Sequence, residues 1–222
     1  MTDQSAEVLL ERNRAGFDGL GGGIYSFYIA RPALSRVVGR LVWGGSTAPF
    51  YERLSLVSTL PDGGTVVDAP CGAGVAFGAL APRQDVRYLA LDLSPGMLAR
   101  ARERAQKLGL SQIDLVRGDA TQIPIEEGGA DLFLSWWGLH CLPDPEAAVH
   151  EAARCLRRGG RMVGAMICRG TRLRQRLLVR PGHGLFGPGG TPEDLAAWIE
   201  RAGLHQERLR TSGPFAYFEA SA

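Results

Sequence analysis

The sequence contains almost no lysine: Lys107 is the single lysine among 25 basic residues. The 23 acidic residues nearly cancel the positive charge, so the formal net charge at pH 7 is +2. A net charge this small gives no indication that the chain as a whole binds nucleic acid or an anionic membrane. We therefore expect no nucleic-acid partner.

Paired metal-ligand spacings are also missing. None of the four cysteines stands three positions from another, and the four histidines form no His-x3-His pair. Structural zinc sites depend on such repeated short spacings, and disulfide frameworks are typical of small exported chains. We expect free thiols and no metal site. The cysteines are Cys71, Cys141, Cys155 and Cys168.

Long apolar runs are absent as well. No uninterrupted stretch approaches the ~18 to 20 apolar residues that a membrane-spanning helix needs. Residues 1–7 carry acidic side chains and no apolar core, unlike a signal peptide. These absences predict a cytoplasmic protein without an integral membrane segment. The 222 residues suit one domain with a sizeable core.

From residue 65 onward, short apolar runs alternate with stretches of helical periodicity. This alternation predicts a doubly wound α/β domain, in which a mostly parallel sheet carries helices on both faces. Five runs are predicted as parallel strands: 65–68, 87–92, 114–117, 130–135 and 161–167. Residues 206–211 and 215–219 are predicted as an antiparallel hairpin at the sheet edge.

Capping residues mark the helix boundaries. Ser94-Pro95 and Asp144-Pro145 each place a capping side chain before a proline at the first helical position. Thr191 to Asp194 has the form of a capping box, and Gly109 suits a left-handed helix end. A shorter helix is predicted at about residues 75–81, directly after the first strand.

Two segments fall outside the alternation. Residues 1–60 are helical in character and are predicted to form a cap or lid over the main domain, residues 61–222. Residues 168–190 are predicted to form an insertion on the substrate side. The arginines of this insertion fit a solvated helix face, with an anionic substrate group as the alternative. They are Arg169, Arg172, Arg174, Arg176 and Arg180.

A glycine turn follows the first predicted strand, where residues 66–74 read VVDAPCGAG. Such a turn lets the backbone approach a ligand at the switch point of an open sheet, and alone it would equally suit a dinucleotide. Phe77, however, occupies the third glycine position of the dinucleotide fingerprint. Asp68 would repel a pyrophosphate and attract an ammonium group. These two features favour an aminoacyl sulfonium ligand over NAD.

Two further acids follow the next strands. Asp92 ends the second strand, where a carboxylate can accept both hydroxyls of a ribose. Asp119 follows the third strand, where a carboxylate can accept the amino group of adenine. Three acids at successive strand ends, each suited to a different fragment of one ligand, are more specific than the glycines alone.

These motifs resemble those of class I S-adenosylmethionine (SAM)-dependent methyltransferases, in the branch that includes the ubiquinone and menaquinone biosynthesis enzymes. The resemblance covers about residues 66–160. It rests on Asp-x-x-Cys-Gly-x-Gly at 68–74, LDLSPGML at 91–98, Gly-Asp-Ala at 118–120, LHCLPDP at 139–145 and LRRGG at 156–160. It implies SAM as cofactor and a Rossmann-like, seven-stranded sheet with a reversed terminal hairpin.

The resemblance also implies a role for each matching residue. From one end of SAM to the other, the implied contacts are Asp68, Cys71, Gly72 and Gly74 for the methionine part, Trp136 for the sulfonium, Asp92 for the ribose, and Leu93, Met97, Asp119 and Ala120 for adenine.

The acceptor side is less well marked. His140, after the fourth strand, is the candidate general base for a phenol or enol, and packing with a backbone hydrogen bond is the alternative. Tyr25, Tyr28 and Trp137 are candidate substrate contacts together with His140, although ordinary packing would explain all three aromatic residues equally well.

The function implied by the resemblance is transfer of the SAM methyl group to an oxygen or activated carbon of an apolar, cyclic small molecule. Two alternatives stay open. One is a SAM-binding pseudo-methyltransferase that catalyses a rearrangement or cyclisation. The other is a SAM-binding accessory protein without turnover of its own.

Overall fold

The computed structural model describes residues 11, 16, 18, 20–169 and 187–222. Most of the predicted insertion at 168–190 therefore lies outside the described residues, as do four of its five arginines. The backbone of Tyr25 is described, but its side chain is not.

In the described part of the chain, seven strands form one sheet in the order β3-β2-β1-β4-β5-β7-β6. Neighbouring strands are parallel except for β7, which runs antiparallel to both β5 and β6. The predicted doubly wound sheet with a reversed terminal hairpin is confirmed. The strands are β1 Gly64–Asp68, β2 Val86–Asp92, β3 Ile113–Arg117, β4 Ala130–Trp136, β5 Leu156–Ile167, β6 His205–Ser212 and β7 Phe215–Ser221.

Helices cover both faces of this sheet. The α-helices are α1 Leu20–Ile29, α2 Pro32–Val38, α3 Ala48–Leu54, α4 Pro95–Leu108, α5 Pro145–Cys155 and α6 Pro192–Arg201. A π-helix at Gly39–Trp43 continues α2, and 3-10 helices occupy Val57–Thr59, Val75–Ala79 and Leu139–Cys141. Within the described ranges, no helix is both long and apolar enough to cross a bilayer.

The predicted caps are confirmed. The Ser94 hydroxyl accepts the Met97 N–H at 3.0 Å, and the Asp144 carboxylate accepts the Ala147 N–H at 2.9 Å. Thr191 and Asp194 form a reciprocal capping box. These bonds satisfy backbone donors that the first turn of a helix leaves unpaired.

Two local predictions need correction. The helix after the glycine turn is a 3-10 helix that ends at Ala79, because Pro82 disfavours helical backbone at the residue before it. The fifth strand begins at Leu156 rather than after Gly159-Gly160. Its register with β4 shifts between Ala130 and Leu132, so the glycines form an irregularity within the strand.

The chain order creates a switch point beside β1. From β1 the chain moves outward through β2 to β3, and then returns to place β4 on the other side of β1. Crossover connections therefore diverge at the carboxyl ends of β1 and β4, which is where open α/β sheets bind ligands.

The N-terminal helices pack on one sheet face and are tied to the terminal hairpin. The Tyr217 hydroxyl donates to the Ser46 carbonyl at 2.7 Å, and the Ser46 N–H donates to the Ser212 hydroxyl at 2.8 Å. A side chain at Gly45 would collide with the Ser212 carbonyl, so the two backbones meet directly. Phe50 of α3 is fully buried and its ring contacts Trp136 and Trp137.

Candidate active site

A pocket opens at the carboxyl ends of β1, β2 and β4. It contains nine of the ten residues predicted to bind the cofactor; Gly74 is the exception. The nine are Asp68, Cys71, Gly72, Asp92, Leu93, Met97, Asp119, Ala120 and Trp136. The structure therefore brings together residues that are spread over almost 70 positions of the sequence.

Asp68 ends β1 and is buried at the pocket wall. Its Oδ2 accepts a 2.8 Å hydrogen bond from the Tyr88 hydroxyl. Within the described part of the chain, Oδ1 has no hydrogen-bond partner. Burial raises the pKa of Asp68 to about 7, the Tyr88 bond opposes that rise, and the nearby Asp92 adds to it. An ammonium group on a ligand would satisfy Oδ1 and favour the ionised form.

The glycine turn is fastened to the end of β2. The Cys71 N–H donates to the Leu91 carbonyl at 2.8 Å, and the Gly72 N–H donates to Asp92 Oδ2 at 2.8 Å. These bonds hold the backbone of the turn against the pocket, where it can approach a ligand closely.

Gly74 does not line the pocket, and it packs against the ring of Phe77 on the side of the turn away from the pocket. Its φ of +68° is left-handed, and an added Cβ would collide with the ring of Phe77. Phe77 is fully buried and meets Tyr88 edge-on, with 5.4 Å between ring centroids. The side chain that departs from the dinucleotide fingerprint thus packs against the tyrosine that bonds Asp68.

Asp92 connects two backbone segments of the pocket. In addition to the Gly72 bond, its Oδ1 accepts the Ser94 N–H at 2.9 Å. Burial raises the pKa of Asp92 to about 6, while the backbone bonds from Ser94 and Gly72 lower it. Each carboxylate oxygen can accept more than one hydrogen bond, so both can also receive hydroxyls of a ribose.

Asp119 lies just past β3 and is oriented by its own turn. Oδ1 accepts both the N–H and the hydroxyl of Thr121, at 2.8 and 2.9 Å. This local pairing fixes the carboxylate beside Ala120, which is buried in the pocket wall.

Aromatic side chains form the opposite end of the pocket. Trp136 meets Phe50 edge-on, with 4.9 Å between ring centroids, and Trp137 meets Phe215 in the same way at 4.9 Å. Trp137 has a left-handed φ of 58°, and its N–H donates to the Ala165 carbonyl at 2.8 Å. Both indole N–H groups are buried without a partner among the described residues.

The N-terminal segment supplies pocket contacts that the sequence did not predict. Phe50 of α3 lines the aromatic end. On the Ser94 side, Asp18 Oδ1 accepts the Ser94 hydroxyl at 2.6 Å and the Gly96 N–H at 2.7 Å. Neither residue belongs to a recognisable motif, because both contacts exist only once distant segments have packed together.

The structure does not bring His140 into the pocket. The imidazole is buried, its Nδ1 accepts the Ile167 N–H at 3.4 Å, and the residue is absent from the pocket lining. Burial lowers the pKa of His140 to about 3, so the ring is neutral at physiological pH. This placement agrees with the packing alternative and gives no support to the general-base role.

Of the three aromatic residues predicted to contact the substrate, Trp137 lines the pocket. Tyr28 is half-buried, packs against the core beneath the N-terminal helices and does not line the pocket. Tyr25 lies in α1, and its side chain is outside the described residues.

Two pocket thiols are held in their protonated form. Burial raises the pKa of Cys141 to about 12, and burial also raises the pKa of Cys71 well above its usual range. A protonated thiol is a poor nucleophile, so covalent catalysis by cysteine is not favoured. The described lining contains no histidine, lysine, arginine or tyrosine.

Comparison with known proteins connects this pocket to a family. Residues 67–164 match the family model for the methyltransferase domain. Over 103 residues the chain is 35% identical to the demethylmenaquinone methyltransferase of Oceanobacillus iheyensis, covering 46% of this chain and 43% of that protein. The chain thus spans less than half the length of this relative.

Two further matches cover more of the chain. The ubiquinone biosynthesis O-methyltransferase of Xylella fastidiosa is 34% identical over 157 residues, which is 65% of this chain and 62% of that protein. The fold is similar to phosphoethanolamine N-methyltransferase 2 of Haemonchus contortus in complex with SAM. That structure has a TM-score of 0.73 at 15% identity, covering 94% of this chain and 59% of the other.

Proposed function

Because residues 67–164 form a methyltransferase domain of the class I SAM-dependent family, we propose that this chain methylates an oxygen or activated carbon of an apolar, cyclic small molecule. One observation carries the proposal. Asp68, Asp92 and Asp119 stand at the ends of three adjacent strands around one pocket, and that pocket ends in Phe50, Trp136 and Trp137.

The polar part of the pocket fits SAM. The unpaired Oδ1 of Asp68 suits its ammonium group, Asp92 suits the ribose diol, and Asp119 suits the adenine amino group. Leu93, Met97 and Ala120 provide apolar contact beside these acids. When bound, SAM supplies a methyl group that its sulfonium has already activated.

The aromatic part of the pocket suits a flat acceptor ring. Phe50, Trp136 and Trp137 present apolar surface and exclude water from the place where the acceptor would lie. Since the methyl donor is already activated, the contribution of these side chains is to align the acceptor and keep the site dry.

The lining also limits the kind of acceptor. Among the described residues, its ionisable side chains are the three carboxylates, which are assigned to SAM, and two thiols that stay protonated. We infer that no side chain of the described lining acts as a base, and that the acceptor is an acidic phenol or enol or reacts at an electron-rich ring carbon. The names of the two curated relatives, which refer to menaquinone and ubiquinone biosynthesis, support a ring acceptor.

Methyl-labelled SAM provides the test. The chain is incubated with catechols, hydroquinones and naphthohydroquinones, and with aliphatic amines and alcohols as comparison. We expect label in the ring compounds together with stoichiometric S-adenosylhomocysteine, and label reduced about tenfold or more with Asp92→Ala when SAM is not saturating. A folded protein that binds SAM and rearranges or ignores every ring compound would instead favour the pseudo-methyltransferase or the accessory role.

A further inference from the structure

The N-terminal helices expose an unusual amount of apolar side chain. Six of the seven large hydrophobic residues that are exposed in the described part of the chain lie between positions 24 and 42. We call these six the apolar face. They are Ile24, Phe27, Leu34, Val37, Leu41 and Val42; the seventh exposed residue is Leu108 of α4.

The apolar face follows helical spacing. Ile24 and Phe27 stand three residues apart on α1, while Leu34, Val37 and Leu41 follow one another at three and four residues along α2 and the π-helix. The two helices pack against each other. Their opposite sides are already buried in the domain, as at Ile29 and Ser35. The exposed side therefore remains as a second apolar surface, of the kind that marks an interaction site.

The charge within the segment that carries this face has one sign. From residue 20 to residue 51 the charged side chains are Arg31, Arg36 and Arg40, with no acid among them. The Arg31 guanidinium lies 3.6 Å from the centroid of the Phe27 ring, so it is part of the same surface. Arg104 of α4 is close enough to Arg31 that its pKa is lowered, first by burial and then by that neighbouring charge.

We propose that the apolar face docks the protein on an anionic phospholipid bilayer. Ile24, Val37 and Leu41 would enter the boundary between headgroups and acyl chains while the arginines pair with lipid phosphates. A second copy of the chain fits less well, because a self-paired face would bring two sets of arginines together. A protein partner is less favoured because leucine and valine, which make up four of the six residues of this face, are under-represented at the hot spots of protein interfaces.

This docking goes beyond the proposed function, and its test needs no turnover. The full chain is mixed with vesicles of phosphatidylcholine alone or with phosphatidylglycerol, and the bound fraction is measured by flotation. We expect binding to the anionic vesicles that weakens as salt is added, because screening reduces the arginine–phosphate attraction.

Two sets of variants separate the apolar from the electrostatic contribution. Val37→Glu with Leu41→Glu should weaken binding about a hundredfold or more, since each of the two lost aliphatic contacts with the bilayer is worth about tenfold. Leu108→Glu is the matched control and should bind normally. Arg36→Ser and Arg40→Ser should each weaken binding roughly fivefold on anionic vesicles and leave phosphatidylcholine vesicles unaffected.

Unchanged affinity for S-adenosylhomocysteine in every variant establishes that the fold is intact. Normal vesicle binding by Val37→Glu with Leu41→Glu would overturn the proposal. The proposal would also fail if the wild type ignores anionic vesicles but sediments as a dimer that the same substitutions convert to a monomer. In that case the apolar face joins two copies of the chain.

Discussion

The hydroxyl of Tyr88 donates a 2.8 Å hydrogen bond to Oδ2 of Asp68, and both side chains are buried. Burial favours the neutral carboxylic acid, whereas this bond favours the carboxylate, and the pKa of Asp68 is raised to about 7 as a result. Tyr88 therefore helps to set the pH above which Asp68 can offer a negative charge to the amino group of SAM.

The first prediction concerns Tyr88→Phe. Loss of the donor should raise the pKa of Asp68 further, so the pH at which S-adenosylhomocysteine affinity falls to half should move upward by about one unit. Calorimetric titrations across neutral pH measure this midpoint. Tyr217→Phe is the control, because its hydroxyl bonds the Ser46 carbonyl, away from Asp68. An unmoved midpoint in Tyr88→Phe would show that the bond does not govern Asp68.

The second prediction concerns stability. The pKa of Asp68 is raised from its ordinary value of 3.8, which applies to the unfolded chain, to about 7 in the folded chain. Ionisation therefore lowers the stability of the folded form progressively as pH rises between these two values. Asn can still accept the Tyr88 bond and cannot ionise. Asp68→Asn should therefore raise the free energy of unfolding above neutral pH, by up to about 4 kcal/mol, and weaken S-adenosylhomocysteine binding.

Denaturant unfolding at about pH 5 and about pH 8 checks this expectation, with the larger gain at the higher pH. Asp114→Asn, at an exposed position of β3, is the control and should change neither quantity. A destabilised Asp68→Asn at the higher pH would contradict the expected cost of the buried charge.

The third prediction concerns Asp92→Ala. Removal of the carboxylate should weaken S-adenosylhomocysteine binding about tenfold or more, because the ribose loses a charged acceptor. The Gly72 and Ser94 N–H groups lose their acceptor too, and stability at about pH 5 should fall by about 1–3 kcal/mol. The loss should be smaller above about pH 6, where the buried charge of Asp92 itself lowers the stability of the wild type. Calorimetry and denaturant unfolding measure the two effects, with Asp114→Ala as reference. Unchanged affinity in a folded variant would remove the ribose role.

The fourth prediction concerns His140→Gln. Because the ring lies off the pocket, kcat for methyl transfer should stay close to that of the wild type. His140→Gln and the wild type should show the same dependence of kcat on pH at saturating SAM, since burial holds the pKa of His140 at about 3. Steady-state kinetics across acid and neutral pH test both points. A kcat about a hundredfold lower in a folded Gln variant with unchanged KM would reinstate His140 as a base.

The positions of most residues in the polar part of the pocket could be predicted, because the sequence signals for them are local. Alternating apolar runs, capping residues and the glycine turn each act within a few residues, and parallel strand ends necessarily converge at one edge of a sheet. The predicted positions of Asp68, Asp92 and Asp119 at successive strand ends follow from these signals. Tyr88 was not, because its bond to Asp68 depends on how β2 aligns with β1.

The aromatic part of the pocket, where the acceptor would lie, depends on long-range packing. His140 follows Trp136-Trp137 closely in sequence, which suggested a place beside the methyl donor. The left-handed backbone at Trp137 and the 3-10 helix at Leu139–Cys141 instead carry the imidazole to the Ile167 N–H. Phe50 reaches the pocket from a helix that precedes the first strand, and no local pattern announces such a contact.

The bonds between Ser46 and the terminal hairpin have a consequence for the order of folding. Ser46 meets Ser212 and Tyr217 across 166 and 171 positions of the chain, whereas β1 to β3 pair within a few dozen residues. Closing such a long loop is slow, and here it must wait until β6 and β7 have paired. We expect the backbone amides of β1 to β3 to become protected from hydrogen exchange first during refolding. The helix that carries Phe50 should dock last, so a newly folded chain would bind SAM before it can close over an acceptor.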